Sequence, residues 1–145
     1  MIQAADFQRA LQLTLLSPST KTEWDIRSAD LNRPGMQFAN YWDFFPYERP
    51  QLLGKVEMTY LSQLDELTRR ERLQKYFNYP LPCIIICRGY PCFDEMLVMG
   101  MARKIPIYST EKETTKFELE LINYLSKELA PVETRHGVLV NVFGT

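Results

Sequence analysis

The sequence predicts an α/β fold, a three-layer sandwich in which helices flank a largely parallel sheet. Short apolar runs alternate along the 145-residue chain with longer segments whose apolar residues recur every three or four positions. This alternation is typical of a parallel sheet whose strands are joined by helices. The run at residues 83–87 is apolar throughout, as expected of a central strand covered on both faces.

Helix starts in the first half of the chain are marked by residues that can cap them. Asp6 can cap a helix that reaches residue 11, and Asn32, with Pro34 in the first turn, can cap a second that reaches residue 40. A third helix is expected over residues 55–64, where apolar residues keep helical spacing. The strands expected between these helices cover residues 13–16, 23–27 and 51–54.

The second half of the chain carries the clearer pattern. A helix over residues 65–78 is expected to show its charged residues 69–72 to water and to end before two prolines. The last helix has one apolar stripe, a threonine that can cap its start and a proline after its end. The remaining elements expected are a strand at residues 83–87, a helix at 93–104, a strand at 105–108 and this last helix at 115–129.

Composition argues against several classes of protein. The 17 basic and 18 acidic residues give a net charge of −1, so no overall field draws in the phosphates of nucleic acids. The longest unbroken apolar run, residues 83–87, is far shorter than the roughly 20 residues of a membrane-spanning helix. Because the amino terminus lacks the features of a signal peptide, we expect a cytoplasmic protein that binds neither nucleic acid nor membranes.

The three cysteines are expected to be reduced and structural. Their spacings do not match common metal-binding patterns, and the chain has one histidine. Cys83 and Cys87 lie four apart in a predicted strand, so they share a face and pack as small apolar side chains. No metal site is expected.

Phosphate binding has one weak signal within the chain. The sequence contains no GxxxxGK[ST], GxGxxG, GxSxG or HExxH pattern. Arg88 and Gly89 follow the predicted central strand, and ligands of parallel sheets gather beyond the carboxyl ends of the strands. These two residues either receive a phosphate or form a simple glycine turn beside a solvent-exposed arginine.

The last residues form a strand-like run that stops with the sequence. Residues 134–145 are rich in β-branched residues and contain the single histidine, His136. Nothing follows that could pair with such a strand. We therefore expect a piece of a longer protein whose function depends on residues beyond Thr145.

Seven segments, taken in order, follow the pattern of one family. They are residues 28–39 (SADLNRPGMQFA), 41–46 (YWDFFP), 49–55 (RPQLLGK), 82–89 (PCIIICRG), 123–125 (NYL), 129–131 (LAP) and 136–144 (HGVLVNVFG). The set resembles the amino-terminal domain of bacterial HPr kinase/phosphorylase, and its last segment resembles the entry into that family's catalytic domain.

The resemblance implies a bifunctional, magnesium-dependent enzyme. Such an enzyme phosphorylates a serine of the phosphocarrier protein HPr with ATP or pyrophosphate, removes that phosphate by phosphorolysis, controls carbon metabolism and assembles as a hexamer. In the family, the phosphate-binding loop follows the segment that matches residues 136–144. We therefore expect residues 1–145 to hold no cofactor and to be inactive alone, because phosphoryl transfer depends on that loop and on Mg²⁺.

His136 is the one catalytic candidate, and only for the longer enzyme. In the family, the matching histidine lies near the phosphate site, where an imidazole could bond a phosphoryl oxygen or exchange a proton. Within residues 1–145, the alternative is an exposed histidine at the start of a strand. Asn141 stands where the family commonly has an aspartate, so that position lacks the family's charge.

The expected organisation is a non-catalytic domain followed by a severed strand. Residues 1–131 resemble the HPr kinase/phosphorylase N-terminal domain, which itself resembles the N-terminal domain of the Mur ligases, and residues 132–145 are a linker and the truncated first strand of the C-terminal kinase domain. The expected role is regulation or assembly, with that kinase domain, HPr and further copies as partners. Aromatic residues 41–47 form either an interface or part of the core. The alternative function is a module that senses a small phosphorylated metabolite near Arg33 or near Arg88 and Gly89.

Overall fold

The computed structural model describes residues 1–130, which form a mixed α/β domain. The strands are β1 (Ile2–Gln3), β2 (Thr14–Ser17), β3 (Glu23–Trp24), β4 (Gln51–Leu53), β5 (Ile84–Ile86) and β6 (Ile107–Ser109). The helices are α1 (Ala4–Ala10), α2 (Gly35–Phe38), α3 (Lys55–Gln63), α4 (Glu66–Phe77), α5 (Asp94–Arg103) and α6 (Thr114–Glu128).

Four strands form the main sheet, in the order β2-β6-β5-β4. Strands β4, β5 and β6 run parallel, whereas the edge strand β2 is antiparallel to β6. At the opposite edge, Asn32 forms a parallel bridge to Gln51 and so covers part of β4. Strands β1 and β3 pair with each other in a separate antiparallel ribbon. The largely parallel sheet predicted from the sequence is confirmed.

The central strand β5 divides the core into two layers. Cys83, Ile85 and Cys87 face the layer that contains α1 and α6, whereas Ile84 and Ile86 face the layer that contains α2 to α5. All five side chains are fully buried, which explains why this run is apolar at every position. The three-layer sandwich is confirmed, and Cys83 and Cys87 share one face as predicted.

Three predicted helix caps are wrong. The threonine predicted to cap the last helix lies inside it, because Glu113 holds the cap position and Thr114 is the first residue of α6. Asp6 lies inside the first turn of α1 instead of before it. The helix predicted after Asn32 is the short α2, which begins after Pro34. The Asn32 side-chain amide instead donates to Gln51 Oε1 at 2.9 Å, because the fold brings β4 alongside it.

The charged run on α4 is less exposed than predicted. Arg69 Nε donates to Glu95 Oε2 at 3.3 Å, and the Arg69 guanidinium lies 4.6 Å from the centre of the Phe93 ring. Arg72 Nη1 donates to the carbonyl oxygen of Phe38 at 2.6 Å. Since α2 and α5 pack against α4, these two arginines join helices instead of facing water. The strand predicted at residues 23–27 is also shorter, because only its first two residues pair with β1.

The two ends of the parallel strands carry different loops. Gly54, Arg88 and Thr110 follow β4, β5 and β6 at the carboxyl end of the sheet. The loops at residues 41–50 and 78–83 precede β4 and β5 at the amino end. The carboxyl end is the usual ligand-binding end of such a sheet, so a candidate site is expected there.

Candidate functional site

Arg33 lies at the carboxyl end of the sheet and is held by two carboxylates. Its Nε and Nη2 donate to Glu57 Oε2 and Oε1 at 3.1 and 2.9 Å, and its Nη1 donates to Glu118 Oε1 at 3.0 Å. Burial alone would lower the pKa of Arg33, but the hydrogen bonds and charges of Glu57 and Glu118 outweigh burial and raise that pKa. These three residues are called the Arg33 cluster below.

The Arg33 cluster connects three parts of the domain. Arg33 precedes α2, while Glu57 lies in the first turn of α3 and Glu118 lies on α6. The Glu57 side chain is 4% exposed, and its Oε1 also accepts a hydrogen bond from the Gly54 amide at 2.8 Å. Because two carboxylates surround one guanidinium, the cluster is negative overall and its arginine is already paired. Its chemistry fits a cross-link better than an anion site.

Gly54 lies beside this cluster and so close to α6 that there is no room for a side chain at this position. A Cβ atom at Gly54 would lie 2.4 Å from Thr114 Oγ1 and 3.1 Å from Arg33 Nη2. Thr114 Oγ1 is buried and has no hydrogen-bond partner of normal length among residues 1–130. Burial raises the pKa of the neighbouring Cys87 thiol to about 11, and the Thr114 hydroxyl and the Arg33 charge offset only part of that effect. The thiol is therefore protonated and unreactive near neutral pH.

Arg88 and Gly89 form a left-handed turn after β5. Their φ angles are 62° and 66°, and their amides donate to the carbonyl oxygens of Lys112 and Thr110 at 3.0 and 2.9 Å. The Glu111 carboxylate lies so close to Gly89 that a Cβ there would be 2.7 Å from Glu111 Oε1. The two amides that could have bonded a phosphate thus already donate to backbone carbonyl oxygens, and the negative Glu111 carboxylate lies beside them.

The ligand residues predicted from the sequence are used in different ways. Arg33 is paired inside the domain, whereas the Arg88 side chain is exposed and no described residue pairs with it. A role for Arg33, Arg88 and Gly89 in ligand binding stays a prediction. His136 and the predicted linker and strand at residues 132–145 lie outside the described residues.

Sequence reasoning missed the partners of Arg33. Glu57 and Glu118 are 24 and 85 residues away along the chain, so no local motif links them to Arg33. One signal was present for Glu57. A glutamate three residues after Gly54, at the start of a helix, is well placed to accept the amide that precedes the helix.

The aromatic segment at residues 41–47 serves both as core and as surface. Phe45 is buried, and its ring lies 4.8 Å from that of Tyr79, while Trp42 stacks on Tyr79 at 5.8 Å with an interplanar angle of 7°. Between these two anchors, the Phe44 side chain is 97% exposed, and its φ is 60°. The core interpretation is confirmed for Phe45, whereas an interface at the exposed residues of this segment stays a prediction.

An apolar pocket that was not predicted from the sequence opens near the carboxyl end of the sheet. Its volume is about 250 Å³, with Met58, Thr59 and Ser62 of α3 on one side and residues 90–93 on the other. Burial raises the pKa of Cys92, one of these lining residues, to about 12, so this thiol is not a nucleophile near neutral pH.

Residues 1–130 contain neither a metal-binding cluster nor a membrane-spanning helix. No group of three or more histidine, cysteine, aspartate or glutamate side chains in that part of the chain is arranged to hold a metal ion. None of its helices combines the length and the apolar character needed to cross a membrane.

The fold and its carboxyl end define a class: a helix-flanked α/β domain in which the buried charges at the usual ligand end, those of the Arg33 cluster, pair with one another. The family model for the HPr serine kinase N terminus matches residues 2–125. The chain belongs to this family. The resemblance identified from its ordered segments is confirmed.

Curated relatives agree with the family and are much longer than this chain. The HPr kinase/phosphorylase of Alkaliphilus metalliredigens is 42% identical over 143 residues, which are 99% of this chain and 46% of that protein. The enzyme of the same name from Thermoanaerobacter sp. is 40% identical over 134 residues, 92% of this chain and 44% of that protein. The HPr kinase/phosphorylase of Clostridium perfringens is 39% identical over 119 residues. These residues are 82% of this chain and 39% of that protein. The chain thus spans less than half the length of these relatives.

Proposed function

We propose that this chain is a regulatory and assembly domain, itself non-catalytic, of a bifunctional HPr serine kinase/phosphorylase. In the proposed protein, a second domain uses ATP or pyrophosphate with Mg²⁺ to phosphorylate HPr and removes the phosphate by phosphorolysis. The protein works in the cytoplasm, controls carbon metabolism and assembles from several copies, with a hexamer as the expected state. In that second domain, His136 lies near the reacting phosphate.

The observation that carries this proposal is the Arg33 cluster. In α/β domains, the carboxyl end of the parallel strands is where phosphates and other ligands bind. In this domain, the guanidinium at that end is bonded to Glu57 and Glu118 at 2.9–3.1 Å, and the Arg88 and Gly89 amides are bonded to carbonyl oxygens. These groups bond to one another and not to a phosphate, which supports a role other than phosphoryl transfer.

A phosphotransfer assay tests the non-catalytic part of the proposal. Residues 1–145 are incubated with HPr, Mg²⁺ and ATP labelled at the γ-phosphate, and labelled HPr is separated on a gel. We expect no transfer above the level seen without the chain. Transfer that increases in proportion to the concentration of the chain would contradict the proposal.

A metabolite sensor is the second candidate, and one observation favours it. The Arg88 guanidinium is exposed, and none of the described residues neutralises it. If this residue senses a phosphorylated metabolite, inorganic phosphate, pyrophosphate or a sugar phosphate will raise the melting temperature with concentration, as binding to the folded state requires. The variant Arg88→Met will abolish that rise, whereas Arg27→Met, at an exposed arginine on another loop, will keep it. Unchanged melting with all three anions eliminates the sensor and leaves the regulatory proposal standing.

A further inference from the structure

The Phe44 side chain is presented to solvent by a loop that is anchored on both sides of it. It is the most exposed large apolar side chain within residues 1–130, at 97%. Its neighbours Trp42 and Phe45 are held by Tyr79, at ring distances of 5.8 and 4.8 Å. The backbone of Phe44 is in the left-handed region, with φ of 60°, which is unfavourable by about 1 kcal/mol for a residue with a Cβ. The anchors thus fix an apolar ring in water.

The apolar pocket beside α3 has room for such a ring. Its volume is about 250 Å³, and Met58, Pro91 and Phe93 give it an apolar lining. A cavity of about 150 Å³ is large enough to take up benzene. The pocket belongs to the carboxyl end of the sheet, since it lies between α3 and the loop after β5, whereas Phe44 belongs to the amino end. A Phe44 ring fixed by its anchors therefore cannot enter the pocket of its own chain.

Charges beside the two features are complementary. Phe44 follows the exposed Asp43, and the Lys75 Nζ lies 5.2 Å from the ring of Trp42, two residues before Phe44. The pocket is flanked by the exposed Lys55, one helical turn before Thr59, and by the exposed Asp94. Each feature thus carries one charge of each sign, so two copies can pair opposite charges when a ring enters a pocket.

We infer that copies of this chain associate head to tail, with Phe44 of one copy in the apolar pocket of the next. The inference rests on the proposed assembly role and names the surface that would perform it. A contact between two different surfaces of one chain builds a ring if the rotation closes and an open chain if it does not. Because the pocket is small, each contact is expected to be weak and to depend on concentration.

Sedimentation velocity of residues 1–145 over a range of concentrations tests the association. The wild-type chain is expected to sediment faster as its concentration increases. Phe44→Ser is expected to remove the effect without unfolding the domain, since this side chain contacts water. Ser62→Trp, which fills the pocket, is expected to do the same. Leu67→Ser changes another exposed apolar residue, 68% exposed on α4, and is expected to behave like wild type.

Mixing the two variants gives the decisive result. The Phe44→Ser chain keeps its pocket and the Ser62→Trp chain keeps its ring, so an equimolar mixture is expected to form one complex with the mass of two chains. Circular dichroism and thermal melting of each variant check that it is folded. A wild-type chain that is monomeric at all concentrations, a Phe44→Ser chain that still associates, or a mixture that stays monomeric would overturn the inference.

A charge exchange provides an independent check of the same contact. Lys55→Glu is expected to weaken association of the wild-type chain, and adding Asp43→Lys to it is expected to restore association. No restoration would overturn the proposed pairing of Asp43 with Lys55. Failure of the head-to-tail contact would leave the non-catalytic part of the proposed function standing, because the phosphotransfer assay does not depend on whether the chain associates.

Discussion

Replacing Arg33 by methionine is the most informative test of the buried charges. The substitution keeps an apolar side chain of similar reach and removes three hydrogen bonds, two to Glu57 and one to Glu118. The Glu57 side chain, 4% exposed, would keep only the Gly54 amide as a partner. A carboxylate left buried in this way strongly disfavours the folded state.

The expected magnitude follows from the exposure of each partner. Removing one partner of a buried ion pair costs about 3–5 kcal/mol of folding stability. The Arg33 side chain is 34% exposed, so water reduces the loss, and the Glu118 bond, with Glu118 31% exposed, adds at most about 1 kcal/mol. We expect a total loss of about 3 kcal/mol, equivalent to a melting temperature roughly 10 °C lower for a domain of this size.

Urea unfolding followed by far-ultraviolet circular dichroism measures this loss. The matched control is Arg27→Met, because the Arg27–Asp25 pair is 84% and 55% exposed, and no measurable shift of the midpoint is expected there. The double variant Arg33→Met, Glu57→Leu is expected to recover part of the loss, since the unpaired carboxylate is gone. A change below about 0.5 kcal/mol for Arg33→Met, the size typical of plain surface sites, would refute the cross-link and leave Arg33 available to a ligand.

The remaining predictions concern close contacts, a buried thiol and the aromatic anchors. Gly54→Ala is expected to destabilise the domain by about 1–3 kcal/mol in urea unfolding, because its Cβ would lie 2.4 Å from Thr114 Oγ1, whereas Gly35→Ala, with a nearest contact of 3.9 Å, is expected to be tolerated; equal effects would contradict the close contact. Burial raises the pKa of Cys83 above its usual value of 9.0. The buried neutral thiol therefore contributes fully to folding stability below pH 9. Above pH 9 this contribution falls, because the same thiol ionises in the unfolded chain. The loss from this thiol is on the order of 1 kcal/mol at pH 10, and Cys83→Ala is expected to show a correspondingly smaller decrease in the urea midpoint between pH 8 and pH 10; an identical decrease would argue against the buried neutral thiol. Phe45→Ala is expected to cost about 3–5 kcal/mol, since Phe45 is 7% exposed; a melting temperature within a few degrees of wild type would show that this anchor does not hold the loop.

The sequence was most informative where a physical pattern is local. The apolar run around β5 predicted a central strand because a strand covered on both faces needs an apolar residue at every position. The stripe of α6, which includes Phe117, Leu121 and Leu125, predicted a long amphipathic helix, and these three residues are fully buried. Both elements, and the three-layer sandwich built around them, are confirmed.

Sequence reasoning was wrong where a side chain has a distant partner. Asn32 has the chemistry of a helix cap, but its amide bonds Gln51, 19 residues away. Arg69 has the chemistry of a solvated residue, but it pairs with Glu95, 26 residues away. Local rules describe what a side chain can do, and tertiary packing decides which of the available partners it meets.

The candidate site was harder to predict than the fold for the same reason. Arg33 was predicted as a candidate ligand residue, in a segment with Asn32, Pro34 and Gly35. Its pairing with Glu118 spans 85 residues, and the pocket beside α3 combines one face of a helix with a loop that follows another strand. Neither arrangement leaves a motif in the sequence. The family resemblance, in contrast, depended on ordered segments and not on any contact, and it was confirmed.

The central claim is that this domain regulates or assembles a kinase/phosphorylase without performing its chemistry. The most direct measurement compares the longer enzyme with a version that lacks residues 1–131, by initial rates of HPr phosphorylation and by sedimentation velocity on the same samples. We predict that the shortened enzyme still transfers phosphate but differs in its assembly state or in its response to phosphate and pyrophosphate. Complete loss of transfer by a folded shortened enzyme, or unchanged rates, responses and assembly, would contradict the account.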